Sequence, residues 1–109
     1  MSVSFAETIQ LTDQAIKAAI AAGQKISEVY ISSDFNVQLK EDNTPLTIAD
    51  RLAHNEILDQ LKASGLPVLS EEGVHLSFLE RKDWDLFWLV DPLDGTKEFI
   101  KRNGEFTVN

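Results

Sequence analysis

Carboxylate side chains that could bind a metal ion stand at three points of the chain. Asp91 and Asp94 are separated only by a proline and a leucine, Glu71 and Glu72 are adjacent, and Asp50 lies further upstream. The proline between the aspartates fixes its own φ and keeps the approach to it extended, so that both carboxylates can point at one cation. Magnesium, calcium and manganese prefer such oxygen ligands. The spacing therefore predicts a metal site built from carboxylates.

Backbone groups beside Asp94 suit the same chemistry. The carbonyl of Leu93, between the two aspartates, can turn inward as a further oxygen ligand. Gly95 lets the backbone approach a ligand closely, and Thr96 is predicted to open a helix whose free amides bind phosphate oxygens. A metal ion and a phosphate group would then share one site.

Each pattern also has an ordinary structural interpretation. Asp94-Gly95 is a common turn signal, and Asp94 can cap the following helix. Glu71-Glu72 fits a solvated loop, and Thr47 and Asp50 fit a capping box. Such short motifs have high false-positive rates when each is taken alone. Their combination on loops beside strands favours the functional interpretation.

Composition and charge narrow the chemistry further. The 109 residues contain ten Lys+Arg and eighteen Asp+Glu, a net charge of −8, which argues against a nucleic-acid polymer as partner. A small phosphorylated substrate remains compatible, because cations can lie between it and the acidic protein. The absence of cysteine excludes disulfides, thiolate zinc sites and cysteine nucleophiles. His54 and His75 have no partner at metal-binding spacing and are predicted to be structural.

The remaining composition is typical of at most one globular domain. Hydrophobic residues make up 43% of the chain. No apolar run is long enough for a membrane span, and the first residues lack the basic start and apolar block of a signal peptide. A cytoplasmic location is predicted.

Two helices and several short strands must position these groups. Residues 4–30 have an amphipathic helical pattern, and a second helix is expected from Thr47 to about Gly65. The first pattern consists of Phe5, Ile9, Ile16, Ala19, Ile20, Gly23, Ile26 and Tyr30. The residues expected to face inward on the second helix are Ile48, Leu52, Leu58 and Leu61.

The other elements are short. Strands are predicted at 37–40 and 67–69, and residues 86–90 form the most apolar run, typical of a central strand. A helical turn is expected over 77–83 and a short helix over 96–102. Residues 105–109 begin another alternating strand, and the sequence stops there, so we expect further chain beyond it.

These residues also match a known family. Residues 88–96, Trp-Leu-Val-Asp-Pro-Leu-Asp-Gly-Thr, resemble the signature of the inositol monophosphatase superfamily of lithium-sensitive, magnesium-dependent phosphatases. Residues 47–50 (Thr-x-Ala-Asp) and 70–72 (Ser-Glu-Glu) resemble its two upstream motifs. The continuation over 97–109 is similar to the bacterial 3′(2′),5′-bisphosphate nucleotidase branch. The resemblance covers essentially the whole chain.

The resemblance implies a role for each matching position. Glu71, Asp91 and the Leu93 carbonyl would hold one Mg²⁺, while Asp91 and Asp94 would hold a second. Glu72 would support an outer or third metal position. Catalysis would fall to Asp50 and Thr96, which would orient and deprotonate the attacking water. The implied substrate-binding set is Glu71, Leu93, Asp94, Gly95 and Thr96.

The implied fold is α+β, a layered α/β sandwich of the sugar-phosphatase type, with residues 1–109 as its N-terminal, metal-binding part. The implied reaction is Mg²⁺-dependent hydrolysis of the 3′-phosphate of 3′-phosphoadenosine 5′-phosphate to AMP and phosphate, in sulfate assimilation. Alternatives are an inositol or sugar-phosphate phosphatase and a non-catalytic cation-binding module. The resemblance places a further metal-binding aspartate and the nucleoside pocket beyond Asn109, so poor turnover is expected of these residues alone. It also implies Li⁺ inhibition, and some relatives associate with the inner membrane.

Overall fold

The computed structural model describes residues 3–32, 38–39, 45–70, 72–73 and 76–109, with backbone only for 38–39 and 45–46. Its helices are α1 (Phe5–Ile31), α2 (Ile48–Leu61), α3 (Phe78–Arg81) and α4 (Thr96–Lys101), with a 3₁₀ turn at Lys62–Ser64. Its strands are β1 (Gln38–Leu39), β2 (Pro45–Leu46), β3 (Val68–Ser70) and β4 (Trp88–Val90). The ends of the strand predicted at 37–40, and His75, lie outside the described residues.

The two long helices begin and end close to the predicted residues. The Ser4 side chain accepts a hydrogen bond from the amide of Glu7, which satisfies a free donor at the start of α1. The helix over 48–61 continues as the 3₁₀ turn and stops at Gly65. Gly65 has a φ of 69°, a left-handed conformation that glycine adopts at little cost.

The predicted inward faces of these helices are partly wrong. Small residues form the contact between α1 and α2, because Ala18, Ala22, Ala49 and Ala53 are all at most 3% exposed. Alanines let the two backbones approach closely, and the face they occupy is rotated from the isoleucine stripe. The predicted inward residues that are exposed instead are Phe5, Ile9, Ile16, Ala19, Ile20, Ile48 and Leu52. Ile26 and Leu61 are buried as predicted.

Two small sheets connect the helices. β1 and β2 are antiparallel, whereas β3 and β4 are parallel, with Ser70 opposite Val90. β4 is shorter than the predicted apolar run, and Leu89 within it is 74% exposed. The strand expected over 105–109 is reduced to one bridge between Thr107 and Asp94, extended by paired backbone hydrogen bonds between Asn109 and Asp91.

An aromatic cluster fixes α4 against the end of α1. Phe99 is fully buried, and its ring centroid lies 5.3 Å from that of Tyr30 and 5.1 Å from that of Phe106. The guanidinium of Arg102 donates to the carbonyl oxygens of Tyr30 and Ser32, 2.6 and 2.5 Å away, where α1 ends. The aromatic contacts and the hydrogen bonds of Arg102 together fix the middle and the end of α4 against the end of α1.

Candidate active site

Asp50 is fully buried in the first turn of α2. Its Oδ2 atom accepts hydrogen bonds from the backbone amide and the hydroxyl of Thr47, each 2.7 Å long. The first of these is the reach-back contact of a capping box, so the structural interpretation of this motif is confirmed. The same contacts leave Oδ1 free to meet a group from another element.

That group is the hydroxyl of Thr96. Thr96 Oγ1 donates to Asp50 Oδ1 across 2.9 Å and lies 3.4 Å from the carbonyl oxygen of Leu93. Thr96 stands at the start of α4, behind Gly95, whose φ is 92°. A Cβ on Gly95 would lie 2.8 Å from the carbonyl oxygen of Glu105, so only glycine fits there without displacement. The fold thus brings together two residues that are 46 positions apart in the sequence.

The Asp91–Asp94 loop joins β4 to α4. Leu93 is 3% exposed and anchors the loop, whereas the Asp94 side chain is exposed. The backbone of Asp94 exchanges hydrogen bonds with Thr107, and Asn109 Nδ2 donates to Asp94 Oδ2 across 3.3 Å. The contact of Asn109 with Asp94 was not predicted from the sequence. The alternating pattern of residues 105–109 was the available signal, because it predicts a strand that can pair with the loop.

Glu72, of the Glu71–Glu72 pair, lies just beyond the end of β3. Glu71 is outside the described residues, but it follows Ser70 directly in the sequence, just as Asp91 follows Val90. Ser70 Oγ accepts from the amide of Glu72 at 3.3 Å and lies 2.9 Å from His54 Nδ1. His54 is half-buried, and its removal from water lowers the pKa of the imidazole below the ordinary value of 6.5.

The described part of the chain contains no group of three His, Cys, Asp or Glu side chains arranged to hold a metal ion. Asp91 and Asp94 nevertheless lie on one short loop, with the Leu93 carbonyl between them. Magnesium is commonly held by one or two carboxylates, with waters and substrate phosphates completing its shell. The donors on this loop therefore fit such an ion.

Comparison with known proteins identifies the family. The model of the inositol monophosphatase family matches residues 7–109. The chain belongs to this family. Members of the family generally use divalent metal ions.

Among members of this family, the chain is similar to curated bisphosphate nucleotidases. The 3′(2′),5′-bisphosphate nucleotidase CysQ of Shigella flexneri is 51% identical over 102 residues, and that of Escherichia coli K12 is 50% identical. Each match covers 91% of this chain and 41% of the relative. The chain therefore spans about two fifths of the length of these relatives.

Solved structures show the same fold. A crystal structure of CysQ from Bacteroides thetaiotaomicron superposes with a TM-score of 0.78 at 55% identity, covering 92% of this chain and 36% of that one. The suhB protein of Bartonella henselae superposes with a TM-score of 0.79 at 27% identity, covering 91% and 38%. The predicted fold class, part of an inositol monophosphatase-like α/β sandwich, is confirmed. Over the described residues, no helix has the length and apolar character to cross a membrane.

Proposed function

We propose that this chain carries the catalytic pair and the metal-binding loop of a phosphatase that removes the 3′-phosphate from 3′-phosphoadenosine 5′-phosphate. The proposal depends above all on the hydrogen bond from Thr96 Oγ1 to Asp50 Oδ1. A capping box explains the contacts between Thr47 and Asp50, but it does not require a threonine from α4 on the opposite carboxylate oxygen.

The direction of that hydrogen bond indicates how the pair would act. Because the only hydrogen of the Thr96 hydroxyl points to Asp50, the lone pairs of Oγ1 can accept a hydrogen bond from a water. As the water oxygen bonds to phosphorus, its proton passes to Thr96 Oγ1, and the threonine proton passes to Asp50 Oδ1. The bond from phosphorus to the 3′ oxygen breaks, and that oxygen takes up a proton from solvent water to give the free hydroxyl, while Asp50 later returns its proton to solvent. General-base assistance of this kind contributes about 10²- to 10⁴-fold to a rate.

Mg²⁺ is the proposed cofactor, in two or three positions, with Li⁺ as an inhibitor. Asp91, Asp94 and the Leu93 carbonyl would hold it together with Glu71, and Glu72 would support an outer position. When bound, the ion supplies positive charge that offsets the charge developing on the phosphoryl group and its leaving oxygen. Gly95 and Thr96, with Glu71, Leu93 and Asp94, would line the phosphate position.

Sequence similarity favours the nucleotide over inositol phosphates. Relatives whose names state bisphosphate nucleotidase activity are about twice as similar to this chain as the IMPase of Thermotoga maritima, at 51% against 25% identity. The proposed partner is therefore a small phosphorylated nucleotide, the enzyme would act in sulfur metabolism, and the predicted cytoplasmic location belongs to the same proposal.

The test is product identification with the protein at its full natural length. Incubation of 3′-phosphoadenosine 5′-phosphate with Mg²⁺ should give AMP and one equivalent of phosphate, and EDTA should stop the reaction. Inositol 1-phosphate, tested alongside, should react more slowly. A faster reaction with inositol 1-phosphate would support the sister phosphatase. Divalent-cation binding without phosphate release from either compound would support a non-catalytic module.

A further inference from the structure

A histidine on α2 contacts both Ser70 and Gly73, the residues on either side of the Glu71–Glu72 pair in the sequence. His54 follows Asp50 by four residues, so the two side chains project from the same side of the helix, one turn apart. Asp50 meets Thr96 of α4, whereas His54 meets Ser70 at the end of β3. One rigid helix therefore contacts both segments of the proposed site.

Ser70 connects the imidazole of His54 to the backbone of Glu72. Its Oγ lies 2.9 Å from His54 Nδ1 and accepts from the amide of Glu72 at 3.3 Å. A hydroxyl has one donor and two acceptor sites, so both hydrogen bonds can exist together. The carbonyl oxygen of Ser70 also accepts from the amide of Gly73 at 3.1 Å, which closes the turn.

The imidazole also lies against the far end of the turn. A Cβ built on Gly73 would be only 3.3 Å from His54 Cε1. His54 thus contacts the residue before the glutamate pair and approaches the residue after it. Rotation of the turn about its ends would break the hydrogen bond with Ser70 or push Gly73 into the ring.

We propose that His54 is a positioning residue that, through Ser70, holds Glu72 in place just beyond the end of β3 for divalent-cation binding. This inference rests on the proposed function, since it assigns Glu72 a cation to bind. Groups that orient carboxylate ligands typically change metal affinity by about 10- to 100-fold when they are removed. A merely structural link between α2 and β3 would change stability without selectively changing that affinity.

The experiment compares variants of the protein at its full natural length. Mn²⁺ binding is measured directly by electron paramagnetic resonance, and amide hydrogen exchange at Glu72 is measured without metal. His54→Ala and Ser70→Ala remove the hydrogen bond. His54→Asn keeps a polar atom near the position of Nδ1, and Ser70→Thr keeps the hydroxyl. Asn55→Ala, at the neighbouring exposed position, is the matched control.

The proposal predicts about 10- to 100-fold weaker Mn²⁺ binding for each alanine variant. The Glu72 amide should exchange faster in both, while the amides of α2 keep the parent rate. The double variant His54→Ala/Ser70→Ala should bind Mn²⁺ no more weakly than the more affected of the two single variants, because both changes break the same hydrogen bond. His54→Asn, Ser70→Thr and Asn55→Ala should bind Mn²⁺ within about threefold of the parent, which is less than 1 kcal/mol.

Parent-like Mn²⁺ binding in both alanine variants would overturn the proposal. It would also be overturned if His54→Asn and His54→Ala weakened binding equally, in step with a loss of thermal stability. If His54→Ala does not fold, the comparison of Ser70→Ala with Ser70→Thr decides. Failure of the parent itself to bind Mn²⁺ and to release phosphate would overturn the proposed function and this inference together. A working parent with unaffected variants would overturn this inference alone.

Discussion

Replacement of Asp50 separates the role of its carboxylate in the fold from its role in catalysis. In Asp50→Asn, the amide oxygen can keep both contacts with Thr47, and the NH₂ group then faces Thr96 Oγ1. Hydrogen bonds to a charged acceptor are worth about 1 kcal/mol more than neutral ones, so the two retained bonds lose about 2 kcal/mol. Part of this is offset because a neutral amide is easier to bury. We expect a net loss of about 1–2 kcal/mol.

Asp50→Ala should be more damaging to stability. It removes the acceptor of the Thr47 amide, and Thr47 is 1% exposed, so water cannot replace the lost bond. That adds about 1–3 kcal/mol to the cost. One kcal/mol corresponds to about 4–8 °C in the melting temperature of a 60–100-residue domain and to about 2–4 °C for 150–250 residues, so thermal unfolding resolves the two variants in either case.

The activity of Asp50→Asn provides the second measurement. The hydroxyl of Thr96 can no longer donate to a carboxylate, and its hydrogen turns to the Leu93 carbonyl oxygen, 3.4 Å away. Phosphate release should then fall by about 10²-fold or more in protein that remains folded. A folded Asp50→Asn protein with the parent rate would refute the catalytic role and leave only the capping box. An Asn variant less stable than the Ala variant would refute the account of the hydrogen bonds.

Three further predictions concern the surrounding residues. Gly95→Ala should lower stability by about 1–3 kcal/mol from backbone strain alone, with a further cost from the clash with Glu105, in thermal unfolding. The control is Gly23→Ala in the middle of α1, which should raise stability by up to about 1 kcal/mol because nothing lies within 4 Å of the added Cβ. Equal changes in stability in Gly95→Ala and Gly23→Ala would contradict the strain argument. Asp94→Asn should weaken Mn²⁺ binding about tenfold or more. Because the Asp94 side chain is exposed, the free energy of unfolding should change by less than about 0.5 kcal/mol. Unchanged Mn²⁺ binding would show that Asp94 is not a metal ligand. Burial lowers the pKa of His54, so the neutral ring contributes stability that is present above pH 6.5 and is lost as the pH falls below that value. Between pH 7 and 5 the melting temperature of the parent should therefore fall further than that of His54→Gln. Equal decreases in the two melting temperatures would contradict the lowered pKa.

The helices were predictable because their signals are local. Ser4, Thr47 and Gly65 mark helix ends through contacts within a few residues, and the structure places the ends close to them. The inward faces were harder, because periodicity locates an apolar stripe but does not identify the surface that packs on it. Alanines such as Ala22 and Ala53 are weak hydrophobic signals, yet their size decides how closely α1 and α2 approach.

Part of the candidate site was likewise predictable from the sequence, and part was not. The motif order indicated that Asp50, Thr96 and the Asp91–Asp94 loop belong together, and the contact between Thr96 and Asp50 agrees with it. Contacts made by residues outside the motifs were not predictable from type and spacing. Asn109 and His54 form hydrogen bonds with residues 15 and 16 positions away, and those pairings depend on how β3, β4 and α2 pack. For His54, one signal was available, its position one helical turn after Asp50.

The matched pair Thr96→Ser and Thr96→Val provides the most direct test of the central claim. The measurement is the rate of Mg²⁺-dependent phosphate release from 3′-phosphoadenosine 5′-phosphate, at full natural length and with Mn²⁺ binding checked in each protein. Serine keeps the hydroxyl that donates to Asp50 and should retain a rate within about tenfold of the parent, whereas valine keeps the shape, loses the hydroxyl, and should be slower by about 10²-fold or more. A valine variant that binds Mn²⁺ and releases phosphate at the parent rate would contradict the account.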